Sequence, residues 1–546
     1  MTTLGPIRGK LVDDVTTGAF YYSFEGIRYA EAPVKNLRFK PPVPKRPWTT
    51  VLNATKPGFV CPQPEILHTK DQMSEDCLFL NIYTPANYYN KLLPVMVFVH
   101  TGNFIYSSGN SEPVYGPQIL IRQDIIVVTM NYRLGALGFL SLCTEEASGN
   151  AGIKDVLLAL KLVHSNIERF GGDPNKVTLG GNGAGSAIVQ YLMLTNQSKS
   201  LFQRVLTHSA SVLTEKYIQN RPRDKAISLG KELGLKWTDD DTLLQKLKKV
   251  NALDIVIAQE AINKRDPQSG FRISSPFSPT VENEGPTAIL TRPPLELMRE
   301  GLIQNIPIMM GYNNQEGLES FSELAKNPEI ITKLNTHFEL CIPADIAYPY
   351  GSVERRNLAL QIKEFYFSCE NITFVKVQNF IDLVSDTQYI YGIDKFVRLF
   401  KGRKTAPVFY YVFNGDDELN YYKIVHNITY PGACHDDDIG YLFLTSVTKP
   451  RHPYISFTTK YILEAFLHNL KQFMLTGNPT PNANINCWPD AGTNGYHLKS
   501  DSNNLAVFQR PIPKRLEFWD AVYDEYYSWS KYKGSCFCEN NYNNYE

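Results

Sequence analysis

Gly181-Asn182-Gly183-Ala184-Gly185 has the composition of a turn built for chemistry. It keeps the small residues of G-x-S-x-G, the pattern in which a strand turns sharply into a helix and lifts one hydroxyl over a sheet. The flanking sequence fits that context, with a short strand expected at Val177–Gly181 and a helix after the turn. The apex, however, is Gly183, which has no side chain and cannot attack anything. Ser186 lies three residues beyond the apex. Its hydroxyl is expected to bond back to its own helix rather than to serve as a displaced nucleophile. The spacing therefore describes acyl-transfer machinery with the attacking group missing.

Further motifs surround this turn in a fixed order. They are Phe24-Glu25-Gly26-Ile27-Arg28-Tyr29-Ala30, then Ser74-Glu75-Asp76-Cys77-Leu78-Phe79-Leu80-Asn81, then Asn131-Tyr132-Arg133-Leu134-Gly135. Gly149-Asn150-Ala151-Gly152, Phe170-Gly171-Gly172-Asp173-Pro174, Glu316-Gly317 and Gly432-Ala433-Cys434-His435-Asp436-Asp437 complete the series. On these motifs the chain resembles the type-B carboxylesterases, the cholinesterase branch of the α/β-hydrolases, and among them the insect α-esterases.

The resemblance implies a role for each position. Gly183 stands where the family has its serine, Glu316 where it has the acid that orients the base, and His435 where it has the base. His435 is either such a base or a neutral histidine satisfied by a buried carboxylate. The family reads H-G-G-G-F in its oxyanion loop, and this chain reads His100-Thr101-Gly102-Asn103-Phe104. The implied oxyanion donors are the backbone amides of Gly102, Asn103 and Ala184. Asn182 replaces the glutamate that precedes the serine in the family. Cys61 and Cys77 match a pair that is disulfide-bonded in secreted members. Arg38 with Glu75, and Arg133 with Asp173, match two buried ion pairs of the family. Departures thus cluster in the site while the scaffold residues are present, the pattern of a natural pseudoenzyme. The expected function is catalytically silent binding of a hydrophobic ester-like small molecule in the remnant gorge. Two alternatives remain: a protein-interaction or adhesion-type homologue, and weak residual ester hydrolysis by His435 and Glu316.

The elements needed to position these residues are those of a large α/β sheet. Leu93–His100 and Ile125–Tyr132 are continuous apolar runs, as strands buried on both faces should be. Ala19–Arg28, Arg204–Ser209, Ile306–Tyr312 and Pro407–Asn414 supply further strands, and Gly5–Val15 is expected to pair antiparallel with Ala19–Arg28. Ile153–Phe170 and Lys460–Leu475 carry apolar residues at helical spacing. Residues 215–300 lack apolar strands and are expected to form helical cap insertions. The fold class is α/β, a mostly parallel central sheet flanked by helices on both faces. Residues 1–530 form one domain, and 531–546 form a flexible tail with Cys536-x-Cys538 in it.

Composition excludes several other classes. Apolar residues make up 43% and charged residues 20%, with 55 basic and 55 acidic side chains. No net field recruits nucleic acid or an anionic membrane. No apolar run is long enough to span a bilayer, because Asn131 and Arg133 interrupt the best candidate, Ile125–Leu142. The N-terminus has neither a basic nor an apolar leader region, which places the chain in the cytoplasm unless a leader is missing. Nine cysteines, an odd number, favour reduced thiols. Four N-x-S/T sites, at Asn53, Asn196, Asn371 and Asn427, carry little weight in so Asn-rich a chain. No metal or cofactor motif is present, and the oligomeric state is not legible.

Overall fold

The computed structural model describes residues 2–527, apart from 15–16, 88–90, 267–270, 273–274, 347, 483–486 and 502–503. The expected tail, 531–546, lies outside the described residues.

Eleven strands form one mixed sheet. In chain order they are β1 (Lys10–Asp14), β2 (Ala19–Arg28), β3 (Phe79–Pro85), β4 (Leu93–Val99), β5 (Ile126–Met130) and β6 (Gly172–Asn182), followed by β7 (Arg204–His208), β8 (Ile308–Asn313), β9 (Val408–Phe413), β10 (His497–Asp501) and β11 (Asn504–Phe508). The spatial order is β11-β10-β9-β8-β7-β6-β4-β5-β3-β2-β1. From β5 through β10 every neighbouring pair is parallel, and the strands at the two ends run antiparallel. After β4 the chain goes to one side for β5 and to the other for β6. Such a switch point opens a crevice at the carboxyl ends of the strands.

The apolar runs are covered on both faces, as their composition requires. In β4, Val95, Val97 and Val99 pack into the core that holds helix α1 (Ala151–Asn166) and helix α2 (Ala184–Met193). Met96 and Phe98 point the other way, into the core built on Leu470 and Phe473 of helix α3 (Phe457–Thr476). This period-two alternation is what a strand in the middle of a three-layer domain must show. Residues 215–300 do form helices, among them Pro222–Glu232, Asp240–Leu247 and Ala252–Arg265. A buried ion pair, Lys154 with Glu282, fastens this region to the body, and Arg272 with Glu215 ties it together internally.

Three expectations need correction. Arg133 does not pair with Asp173. Its guanidinium holds Asp155 of α1 through Nε at 2.8 Å and a second nitrogen at 2.7 Å, with both side chains buried. The reason is topological: Arg133 follows the carboxyl end of β5, whereas Asp173 sits at the amino end of parallel β6, across the sheet. Asp173 instead meets Lys176 at 3.1 Å. Secondly, Ile7–Arg8 pairs with Leu52–Asn53 in a separate two-stranded sheet, so only Lys10–Asp14 of the expected Gly5–Val15 strand joins β2. Thirdly, the odd cysteine count misled, since Cys61 and Cys77 are disulfide-bonded with their Cα atoms 5.0 Å apart. The other expected ion pair is present, with Arg38 Nε 2.7 Å from Glu75.

Candidate functional site

The glycine turn sits at the carboxyl end of β6, beside the switch point. Gly183 caps α2 with φ 50° and ψ −119°, a conformation that favours a residue without a side chain. Its amide donates to the His208 carbonyl at 3.0 Å, which ties the apex to β7. Gly185 is required for a different reason: a Cβ there would lie 2.1 Å from the Val99 carbonyl oxygen. The first turn of α2 is thus pressed against the end of β4, and only glycine permits it.

The Ser186 hydroxyl is fully engaged inside the protein, though with the ends of β6 and β7 and not, as expected, with its own helix. It donates toward the carbonyls of Gly181 at 2.6 Å and His208 at 2.9 Å, and accepts from the His208 amide at 2.8 Å. It has no freedom to act at the apex.

Glu316 and His435 come together across the site. His435 Nδ1 lies 2.7 Å from Glu316 Oε2, and Glu316 Oε1 accepts the Asn313 amide at the end of β8 at 2.7 Å. This fixes the ring so that Nε2 faces the apex. A Cβ placed on Gly183 would be 3.2 Å from that Nε2. The imidazole therefore addresses the one position from which the hydroxyl is missing.

Two further side chains crowd the same spot, and both escaped attention as site residues in the sequence. Thr101 Oγ1 lies only 2.6 Å from the place a Cβ on Gly183 would take. The threonine side chain fills the volume a nucleophile would need. It makes no hydrogen bond to His435 among the described residues. Asp436, in the left-handed region at φ 63°, turns its carboxylate back so that Oδ1 is 3.5 Å from His435 Nε2. Burial alone would depress the imidazole, but Asp436 and Glu316 outweigh it and raise His435 to about 9. A histidine that holds its proton at neutral pH cannot take one from an alcohol.

The oxyanion loop keeps an open geometry. Gly102, Asn103 and Phe104 have φ of 106°, 53° and 62°, so Asn103 adopts the left-handed turn its type tolerates. A Cβ on Gly102 would meet the Tyr106 carbonyl oxygen at 2.0 Å, so glycine is obligatory there. The amides of Gly102, Asn103 and Ala184 donate to no acceptor among the described residues. Asn182, in place of the family glutamate, reaches Asp438 at 3.3 Å, and Asp438 also holds His208 at 2.7 Å. Substitution at this position has been absorbed into a buried polar network that joins the ends of β6 and β7.

Comparison with known proteins agrees across the whole chain. The model of the "Carboxylesterase family" matches residues 1–519. Juvenile hormone esterase of Tribolium castaneum is 33% identical over 493 residues, covering 85% of this chain and 81% of that one. Esterase B1 of Culex pipiens is 32% identical over 537 residues, covering 96% and 97%. The crystal structure of juvenile hormone esterase from Manduca sexta, with OTFP covalently attached, superposes with a TM-score of 0.82 at 28% identity. That superposition covers 95% of this chain and 97% of the other.

Proposed function

Because the chain belongs to the carboxylesterase family and has the α/β-hydrolase fold, we propose that it is a catalytically silent member that binds hydrophobic ester-like small molecules where its relatives carry out chemistry. The observation that carries this reading is the bare apex: His435 Nε2 points at a glycine, 3.2 Å from where a side chain would begin. Three things around it support the same conclusion. Thr101 occupies the vacated volume, Asp436 keeps the imidazole charged, and Ser186 is spent on backbone carbonyls. Loss of the serine in a triad enzyme lowers turnover by about a millionfold. The unengaged amides of Gly102, Asn103 and Ala184 remain suited to a carbonyl oxygen, which favours a neutral ester over other apolar ligands.

The test is hydrolysis of p-nitrophenyl acetate by the unmodified protein beside its His435→Ala variant. Equal rates at the level of a non-specific protein surface are expected. A rate in the unmodified protein that collapses in the variant would mean that the imidazole still works, and would overturn the proposal. No helix among the described residues is long and apolar enough to cross a membrane. The Cys61–Cys77 bond favours an oxidising compartment over the cytoplasm read from the N-terminus.

A further inference from the structure

A cavity of about 380 Å3 lies behind the site, and neither Gly183 nor His435 lines it. Lys216 and Tyr389 form the partition. The Lys216 ammonium lies 3.6 Å from the centre of the Tyr389 ring, whose other neighbour is the His435 ring at 4.7 Å. On its far side Lys216 faces the cavity together with Lys225 of the helix Pro222–Glu232 and Lys395 of the helix Tyr391–Lys401. None of these three ammonium groups forms an ion pair with a carboxylate among the described residues, although acidic side chains are near. Glu215 is taken by Arg272. Asp345 accepts from the Tyr523 hydroxyl at 3.1 Å, and burial pushes its carboxyl up to about 7. Asp266 is exposed at the rim. Val212, Leu213, Ile218 and Leu295 give the wall an apolar part, beside polar Gln219 and Gln388.

Holding ammonium groups in a recess with no carboxylate at ion-pair distance is costly: burial pulls Lys216 and Lys225 down to about 8, and the acids around them, Glu319, Glu316 and Asp436 for Lys216 and Asp266 for Lys225, offset it only in part. An anion that enters removes that cost, whereas a neutral ester does not. We propose that this cavity is a second binding site, separate from the vacated catalytic turn, that takes an organic carboxylate with a hydrocarbon body. The lysines hold the head, and the apolar part of the wall covers the chain. The inference is independent of whether the first site is active.

Isothermal titration of the full chain with decanoate, and with decan-1-ol as its neutral counterpart, tests it. Saturable one-to-one binding of decanoate is expected, with decan-1-ol at least about tenfold weaker. The Lys225→Met/Lys395→Met variant should lose about tenfold or more for decanoate and nothing for decan-1-ol, while Lys225→Arg/Lys395→Arg retains decanoate binding. Absence of decanoate binding, equal affinity for the alcohol, or indifference to the methionine pair would each overturn the proposal. If the methionine pair does not fold, the unmodified protein still decides: decanoate affinity must fall between pH 7 and pH 10, as the lysines discharge.

Discussion

Restoring the hydroxyl at the apex should not restore an esterase, and Thr101 gives the reason. In Gly183→Ser the new Cβ would start 2.6 Å from Thr101 Oγ1, well inside ordinary contact. The β-branch limits escape, because one of the alternative χ1 rotamers brings the threonine methyl into the space the hydroxyl leaves. Overpacking of this kind costs about 1–3 kcal/mol, which removes a factor of about 5 to 160 from the productive arrangement. Thr101→Gly relieves the contact. The perturbation is therefore a pair of variants, Gly183→Ser alone and Gly183→Ser with Thr101→Gly. The assay is p-nitrophenyl acetate turnover, normalised by titration with diethyl p-nitrophenyl phosphate. The double variant should exceed the single one by at least about fivefold, the lower end of that cost. It should still fall short of an intact esterase, because Asp436 keeps His435 charged. Equal activity in the two variants would refute the steric argument.

Three other outcomes are expected. His435, read by the NMR titration of its ring protons, should hold its proton until about pH 9, and Asp436→Asn should move that midpoint down. Its folded-state value lies above the ordinary 6.5, so its contribution to stability is complete below pH 6.5 and disappears as pH rises through 9. Asp155→Ala strands a buried guanidinium and should cost about 3–5 kcal/mol in urea unfolding, whereas Asp173→Ala should cost under about 1 kcal/mol. Cys61→Ala/Cys77→Ala opens a loop with a sequence separation of 16 and should lower stability by about 3 kcal/mol in the same measurement.

The parts of this molecule that could be read from the chain are those with a local cause. The glycines of the turn announce it because each has a steric reason visible in the pattern, and the long apolar runs announce strands with two covered faces. The hairpin of β10 and β11 carries no such signal, since His497–Asp501 has little apolar alternation and lies toward the sheet edge. Residues 101 and 183 meet only through register: Val99 of β4 pairs with Gly181 of β6, which sets Thr101 beside the apex. With that register in hand, the threonine could have been recognised as an occupant of the site. Asp436 was visible as a charge next to His435, but the left-handed turn that swings it onto Nε2 was not. Asp173 went wrong because a motif says nothing about which end of a parallel strand it occupies.

The central claim is that no group in this chain is both nucleophilic and within working reach of His435. Incubation of the unmodified protein with diethyl p-nitrophenyl phosphate, read by intact mass, addresses it directly. The account predicts an unchanged mass at full exposure. A stoichiometric diethylphosphoryl adduct that forms only in the folded protein, is lost in His435→Ala, and maps to Thr101 or any other hydroxyl of the site would contradict it.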